Sequence, residues 1–314
     1  VTSVSRALDR ERRVRDLVAA QGFGAPGAVV VWHENCPTSL VQYFLLRRRD
    51  GTWLGRRLVG GPGPFSVVEP HMVMGRFLNL RRHGEGVDFR YRACTDRQRR
   101  ELFGHGPHGV ELDFPFPVLD DHWNEQVCPP EAWGGDHALV HNLDAQERHL
   151  REHATRLARD LFPGAAPLVF DPACSTGTFL SALATALPHA RCLGADLSPA
   201  MVRRAAARSV DVVVADAAHP PLPPGSVDLL VVRFLNAEVV RRAAAGPLFD
   251  ALTLLTAPGG HVFVLGHTPV LLDPRTAART TGLRLVDTAA ALPRRPGLFQ
   301  FLHYTSVDHR RAER

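Results

Sequence analysis

Residues 168–177 read Leu-Val-Phe-Asp-Pro-Ala-Cys-Ser-Thr-Gly, and this run limits the chain more than any other. An apolar strand ends in an acid, Asp171. A turn of small residues follows, and then an apolar helix from Thr178 to Leu187. Such a strand-turn-helix presents backbone N–H groups to a ligand at the carboxyl edge of a parallel sheet. The small side chains of Ala173, Ser175 and Gly177 let the backbone come close to that ligand.

The next hundred residues repeat the alternation of strand and helix. Cys192-Leu-Gly-Ala-Asp196 is a second strand closed by an acid, with Ser198 suited to cap the next helix and Pro199 to its first turn. An acid about 20 residues past a small-residue turn is where doubly wound sheets grip a ribose diol. A third strand, 210–215, ends at Asp216-Ala217. A fourth, 227–233, follows Pro-Pro-Gly-Ser, and a fifth, 261–266, follows Pro258-Gly-Gly. Segments 283–287 and 299–307 complete seven strands. Helices are expected at 177–187, 199–208, 237–256 and 273–281.

DPACSTG, GADLSPAM, VADAAHPPLPPGSVDLLVV and APGGHVFVLG, in this order, make the chain similar to class I S-adenosylmethionine-dependent methyltransferases over roughly residues 141–314. The resemblance implies an α/β fold. It is a Rossmann-like seven-stranded sheet with helices on both faces, its last strand inserted antiparallel between its neighbours. S-adenosylmethionine is the implied cofactor. A dinucleotide-binding dehydrogenase is the nearest rival, but its G-x-G-x-x-G positions read Ala173, Ser175 and Thr178. The resembling family usually has glycine where this chain has Ala173 and Ser175.

The resemblance also implies roles. Asp196 accepts from the ribose hydroxyls, and Leu197 packs on the adenine face. Asp216 accepts from the adenine amino group and the Ala217 N–H donates to the ring. Asp171 holds the ammonium of the amino-acid tail, or caps its own turn, or both. The turn residues Ala173, Ser175 and Gly177, with Arg233 and Phe234 after the fourth strand, complete the expected cofactor contacts. No catalytic residue is identified. Asn236, Glu238 and His267 are candidates because they follow strands whose ends face the ligand crevice. Trp123 and Asn142 are substrate candidates in segments suited to closing over the site. Cys174 reads as a packed thiol rather than a nucleophile.

Residues 1–140 are expected to be a separate, mostly antiparallel α+β accessory domain that shapes the acceptor pocket, and 141–314 the catalytic domain. A helix is expected at 3–20. Strands are expected at 28–32, 40–46, 53–59, 74–80 and 87–92, with 103–138 irregular and a helix at 143–162. The 314 residues leave room for two domains. No apolar run reaches the roughly 20 residues that cross a bilayer, and residues 5–15 are dense in Arg, Asp and Glu, unlike a secretory leader. Five scattered cysteines point to free thiols in a reducing cytoplasm. They form no Cys-x-x-Cys pair, so no metal is expected.

The chain has no lysine; all 37 of its Lys+Arg positions are arginine. Lysine Schiff-base chemistry is therefore excluded, and with abundant Ala, Gly and Pro the bias suggests a GC-rich bacterial gene. The same bias weakens the basic balance as a sign of nucleic-acid binding. An amino-methyltransferase of nucleic acid would also need an Asn/Asp-Pro-Pro-aromatic tetrad, and here that place reads Arg233-Phe-Leu-Asn. Methyl transfer to a small molecule of bacterial secondary metabolism is the leading expectation. The alternative is attack at the aminocarboxypropyl arm of the same cofactor, by transfer or ring closure, with release of methylthioadenosine. The oligomeric state is left open, a homodimer included.

Overall fold

The computed structural model describes residues 22–34, 41–58, 66–84, 86–116, 119, 123–129 and 137–307, with side chains omitted over 137–145. The expected helix at 3–20 lies outside the described residues. Contacts divide the chain into two compact units. One comprises Val1–Gln126 and Ala289–Gln300, the other Val127–Thr288 and Phe301–Arg314.

The first unit holds a six-stranded antiparallel sheet. Its strands are β1 (Val29–Glu34), β2 (Val41–Arg48), β3 (Gly51–Leu58), β5 (Val73–His83), β6 (Gly86–Ala93) and β7 (Glu111–Asp113), in the order β1-β6-β5-β3-β2-β7. Alternation along β6 buries Val87, Phe89 and Tyr91 and leaves Arg90 and Arg92 exposed, the pattern of a sheet with one wet face. Val41, Tyr43, Leu54, Met74, Phe89 and Phe116 share one core cluster. A second cluster joins Phe44, Leu46, Val68, Val73, Phe103 and Phe114 to Ala289 and Leu298. The short strand β4 (Val67–Val68) pairs with Phe299 and Leu298.

Two elements here differ from expectation. A helix, α1 (Asp96–Gly104), forms behind a capping box in which Thr95 and Gln98 satisfy each other's backbone N–H. And β7, inside the stretch expected to be irregular, pairs with Leu45–Arg47 of β2.

The second unit begins with α2 (His137–Leu161) and then alternates: β8 (Leu168–Asp171), α3 (Thr178–Ala186), β9 (Arg191–Asp196), α4 (Pro199–Ala206), β10 (Asp211–Val214), β11 (Val227–Val232), α5 (Arg242–Thr253), β12 (Thr256–Val264) and α6 (Pro274–Thr281). The strands β13 (Arg284–Ala291) and β14 (Leu298–Thr305) complete the sheet, whose order is β10-β9-β8-β11-β12-β14-β13. The ladders from β10 to β12 are parallel, and β14 runs antiparallel to β12. The expected inserted last strand is therefore present.

Strand order reverses between β8 and β11, where ligands bind at the carboxyl ends of such sheets. Central β11 is apolar almost throughout, as a parallel strand covered on both faces must be. Fully buried Phe170, Phe179, Phe249 and Phe263 each contribute roughly 1.5–3 kcal/mol by leaving water. The helix expected from 237 starts only at Arg242, because residues 233–241 are used otherwise. Ala237 N–H donates to Pro269 O, Asn236 Nδ2 donates to Thr268 Oγ1 and Glu238 takes a left-handed φ of 71°.

Candidate functional site

The turn after β8 is built by its own backbone. Ser175 adopts φ 53°, and Gly177, at the N-cap of α3, adopts φ 72°. A Cβ on Gly177 would also meet Ala205 Cβ at 2.9 Å, so this glycine is needed for both conformation and space. Cys174 N–H donates to Ala195 O at 2.8 Å, tying the turn to β9. Burial pushes the Cys174 thiol far up, with Asp171 and Asp196 adding to the effect. It stays protonated, which suits packing and not nucleophilic attack.

Asp196 is the hub of the next turn. Its Oδ2 accepts from Ser175 N–H at 2.8 Å and its Oδ1 from Ser198 N–H at 2.9 Å. Burial raises its proton affinity and Asp171 adds to this, against the two backbone donors and Arg233. Leu197 beside it is 57% exposed, an apolar side chain presented to solvent at the carboxyl edge. Asp216, past β10, accepts from Ala218 N–H and keeps its carboxylate largely exposed. Ala217 lies in the same turn. A carboxylate near the first turn, an exposed apolar face and a second carboxylate in the next loop match the donor set of a nucleoside.

Beside Asp171 the site becomes ionic and dry. Asp171 is fully buried. Its Oδ1 accepts from Ala173 N–H at 3.1 Å, and its Oδ2 from Arg233 Nε at 2.9 Å. The Arg233 guanidinium also donates from Nη1 to Glu147 Oε2 at 3.1 Å and from Nη2 to Ala173 O at 3.3 Å, and it lies over the Phe179 ring. Three of its five N–H donors are engaged in these bonds. Burial alone disfavours the charged guanidinium, but Asp171 and Glu147 more than restore it. Phe234, next in sequence, is half-buried.

Glu147, on α2, is the residue that sequence reasoning missed. Arg151 Nη2 donates to its Oε2 at 2.7 Å, and His267 Nδ1 stands 3.3 Å from its Oε1. Burial pushes the Glu147 carboxyl up, yet His267, Arg233 and Arg151 together hold it well below the usual carboxylate range. On an amphipathic helix rich in charge, nothing in the spacing marks this one acid as facing inward.

The three catalytic candidates gather after β11 and β12. His267 is buried against Glu147. Burial raises the proton affinity of Glu238, opposed by His267. The Oδ1 of Asn236, fully buried, accepts no hydrogen bond. A Cβ on Gly266 would come within 2.8 Å of Asn236 Cβ, so glycine keeps that place open. Trp123 belongs to the first unit, where it adopts φ 65° and meets Phe116 edge-on. Asn142 lies on α2, and its side chain is outside the described residues.

A methyltransferase domain family matches residues 169–260. Isonocardicin synthase of Nocardia uniformis subsp. tsuyamanensis is 34% identical over 238 residues, 75% of this chain and 77% of that one. Among solved structures, a SAM-dependent methyltransferase from Aquifex aeolicus is similar at 15% identity and TM-score 0.44, covering 57% of this chain and 100% of the other. Magnesium protoporphyrin IX methyltransferase from Synechocystis PCC 6803 is similar at 14% identity and TM-score 0.41, covering 52% and 82%. With its relation to isonocardicin synthase, the chain belongs to the class I S-adenosylmethionine-dependent methyltransferase superfamily, and it is a transferase that uses that cofactor.

Proposed function

We propose that the protein transfers the methyl group of S-adenosylmethionine to a small molecule of secondary metabolism. The observation that carries this reading is the line of acids and small-residue turns at the switch point, Asp196 bonded to the Ser175 amide above all. In the proposed assignment Asp196 holds the ribose diol, Leu197 covers the adenine, and Asp216 with Ala217 addresses the adenine edge. Ala173, Ser175 and Gly177 line the turn, with Phe234 nearby. Asp171, which accepts from Ala173 N–H in its own turn, is assigned to the ammonium of the tail, and Arg233 beside it completes the cofactor contacts. The cofactor supplies an electrophilic sulfonium carbon.

The chain's own tasks are then to position the acceptor and take its proton. His267, backed by Glu147, is the leading base. Glu238 is the second candidate, since burial raises its proton affinity. Asn236 Oδ1 is assigned to an acceptor N–H or O–H, because a buried oxygen without a partner is costly. Asn142, on α2, is assigned to contact the acceptor.

A second reading has its own support. The relative matched over three-quarters of both chains is named a synthase, not a methyltransferase. A firmly held amino-acid tail beside Asp171 and Arg233 also suits attack at the aminocarboxypropyl arm. One experiment separates the readings. The protein is incubated with S-adenosylmethionine, alone and with candidate small-molecule acceptors, and the nucleoside product is identified by mass spectrometry. S-adenosylhomocysteine formed only with an acceptor supports methyl transfer. Methylthioadenosine above the spontaneous rate overturns it in favour of the second reading. Tight cofactor binding without either product across the acceptor panel counts against both.

A further inference from the structure

Three side chains from three neighbouring strands converge on the exposed face of the first unit's sheet. Register explains how. His33 of β1 lies opposite Asp88 of β6, while on the other side of β6 Arg81 of β5 lies opposite Asp88 and His83 opposite Gly86. Residues paired across antiparallel strands share a face, and so do residues two apart on one strand. His33, His83 and Asp88 are thus on one face, while Val87 and Phe89 fill the core on the other.

The distances suit a metal ion. His33 Nδ1 is 2.8 Å and His83 Nε2 is 3.4 Å from the same atom, Asp88 Oδ1, and the ligand atoms of all three residues lie within 4.8 Å of one another. With metal–ligand bonds of about 2.0–2.2 Å, neighbouring ligand atoms stand about 2.9 Å apart at a right angle and about 3.4 Å apart at a tetrahedral one. Both measured edges fall near these values. Arg81 is the neighbour of Asp88 in register, yet the carboxylate is paired with the two imidazoles. The two rings stack at 5.3 Å and are 42% and 30% exposed, so each can turn about its outer torsion without disturbing the core.

We propose that His33, His83 and Asp88 bind a divalent transition-metal ion, of which zinc is the type, leaving its remaining positions to water. Two imidazole nitrogens and a carboxylate oxygen suit zinc, nickel or copper and not magnesium or calcium. Among the described residues β1 is an edge strand. The ion fastens it to β6 and β5, a device for holding an exposed sheet edge in place. This proposal does not rest on the reaction proposed for the second unit.

The test is calorimetric titration of zinc into the tag-free, metal-stripped full chain and into His33→Gln, His83→Gln and Asp88→Asn. All three positions are exposed enough for these variants to fold, which circular dichroism checks. The expected result is one saturable zinc equivalent, weakened by about 100-fold in each variant, at least the loss known for residues that only support a ligand. Cobalt should give a visible d–d absorption that the variants lack. Zinc should also slow amide exchange in residues 29–34 of the original chain alone. Absent saturable zinc binding, or an affinity unmoved by all three substitutions, overturns the proposal.

Discussion

Arg233→Met should reveal how much the buried ionic centre of the second unit depends on one guanidinium. Methionine fills much of the volume but leaves Asp171, fully buried, and Glu147, 6% exposed, facing each other without the cation between them. Breaking a buried ion pair from one side costs about 3–5 kcal/mol. Arg151 still holds Glu147 and Ala173 N–H still holds Asp171, so the lower end, about 3 kcal/mol, is expected. That is a large part of a total stability of about 5–15 kcal/mol. In the variant a buried acid has its folded pKa raised, so between the unfolded value near 4 and that raised value the native state binds more protons. The destabilisation is therefore greatest above the raised value and shrinks as pH falls. Urea unfolding of both proteins at about pH 7.5 and about pH 5 measures it, with each comparison made at one pH so that other titrations cancel. A difference below about 1 kcal/mol at the higher pH, or the same difference at both, would refute the argument.

Other outcomes follow from single contacts. Burial holds His303 neutral, with a pKa near 3, helped by His261, Arg284 and His153, and burial likewise lowers His153 to about 4. The unfolded chain protonates both below about 6.5, so stability should be full above that pH and fall as pH drops toward 4, by at most about 1.4 kcal/mol per unit for His303. A urea midpoint as steep with pH in His303→Leu as in the original chain contradicts this. Asp196→Ala should weaken S-adenosylmethionine binding by roughly 1.5–3 kcal/mol by calorimetry, and unchanged affinity in a folded variant removes the ribose assignment. Gly55→Ala drives a Cβ into the Phe44 ring, which has no exposure, and should cost about 1–3 kcal/mol. An unchanged unfolding midpoint would show that the ring has room to move.

The cofactor fold was legible because parallel strands are short apolar runs closed by turn residues, and Asp171, Asp196 and Asp216 each stand at such a closure. The late start of α5 was not legible. Asn236 and Ala237 carry ordinary helical potential, and only their bonds to Thr268 and Pro269 hold them out of the helix. The α1 helix left a signal, the Thr95–Gln98 capping box, that weak apolar periodicity hides. Glu147 and Arg233 are 86 residues apart, and His33 and Asp88 are 55 apart. Charges or ligands of that separation meet only through sheet register or helix docking, so composition and spacing carry no trace of them.

The membership of Ala289–Gln300 in the first unit has a consequence for how the chain is made. The first core cluster of that unit is built from residues before 124, but the second includes Ala289 and Leu298, and Gln300 Nε2 donates to Leu112 O. A ribosome adding about 5–20 residues per second leaves that second cluster waiting on the order of ten to thirty seconds for its last residues. Meanwhile Phe44, Val68 and Phe103 lack part of their cover, and the residues that complete it arrive only after most of the second unit has been synthesised. The second cluster of the first unit thus closes only after most of the second unit has been made, whereas the first cluster can form earlier.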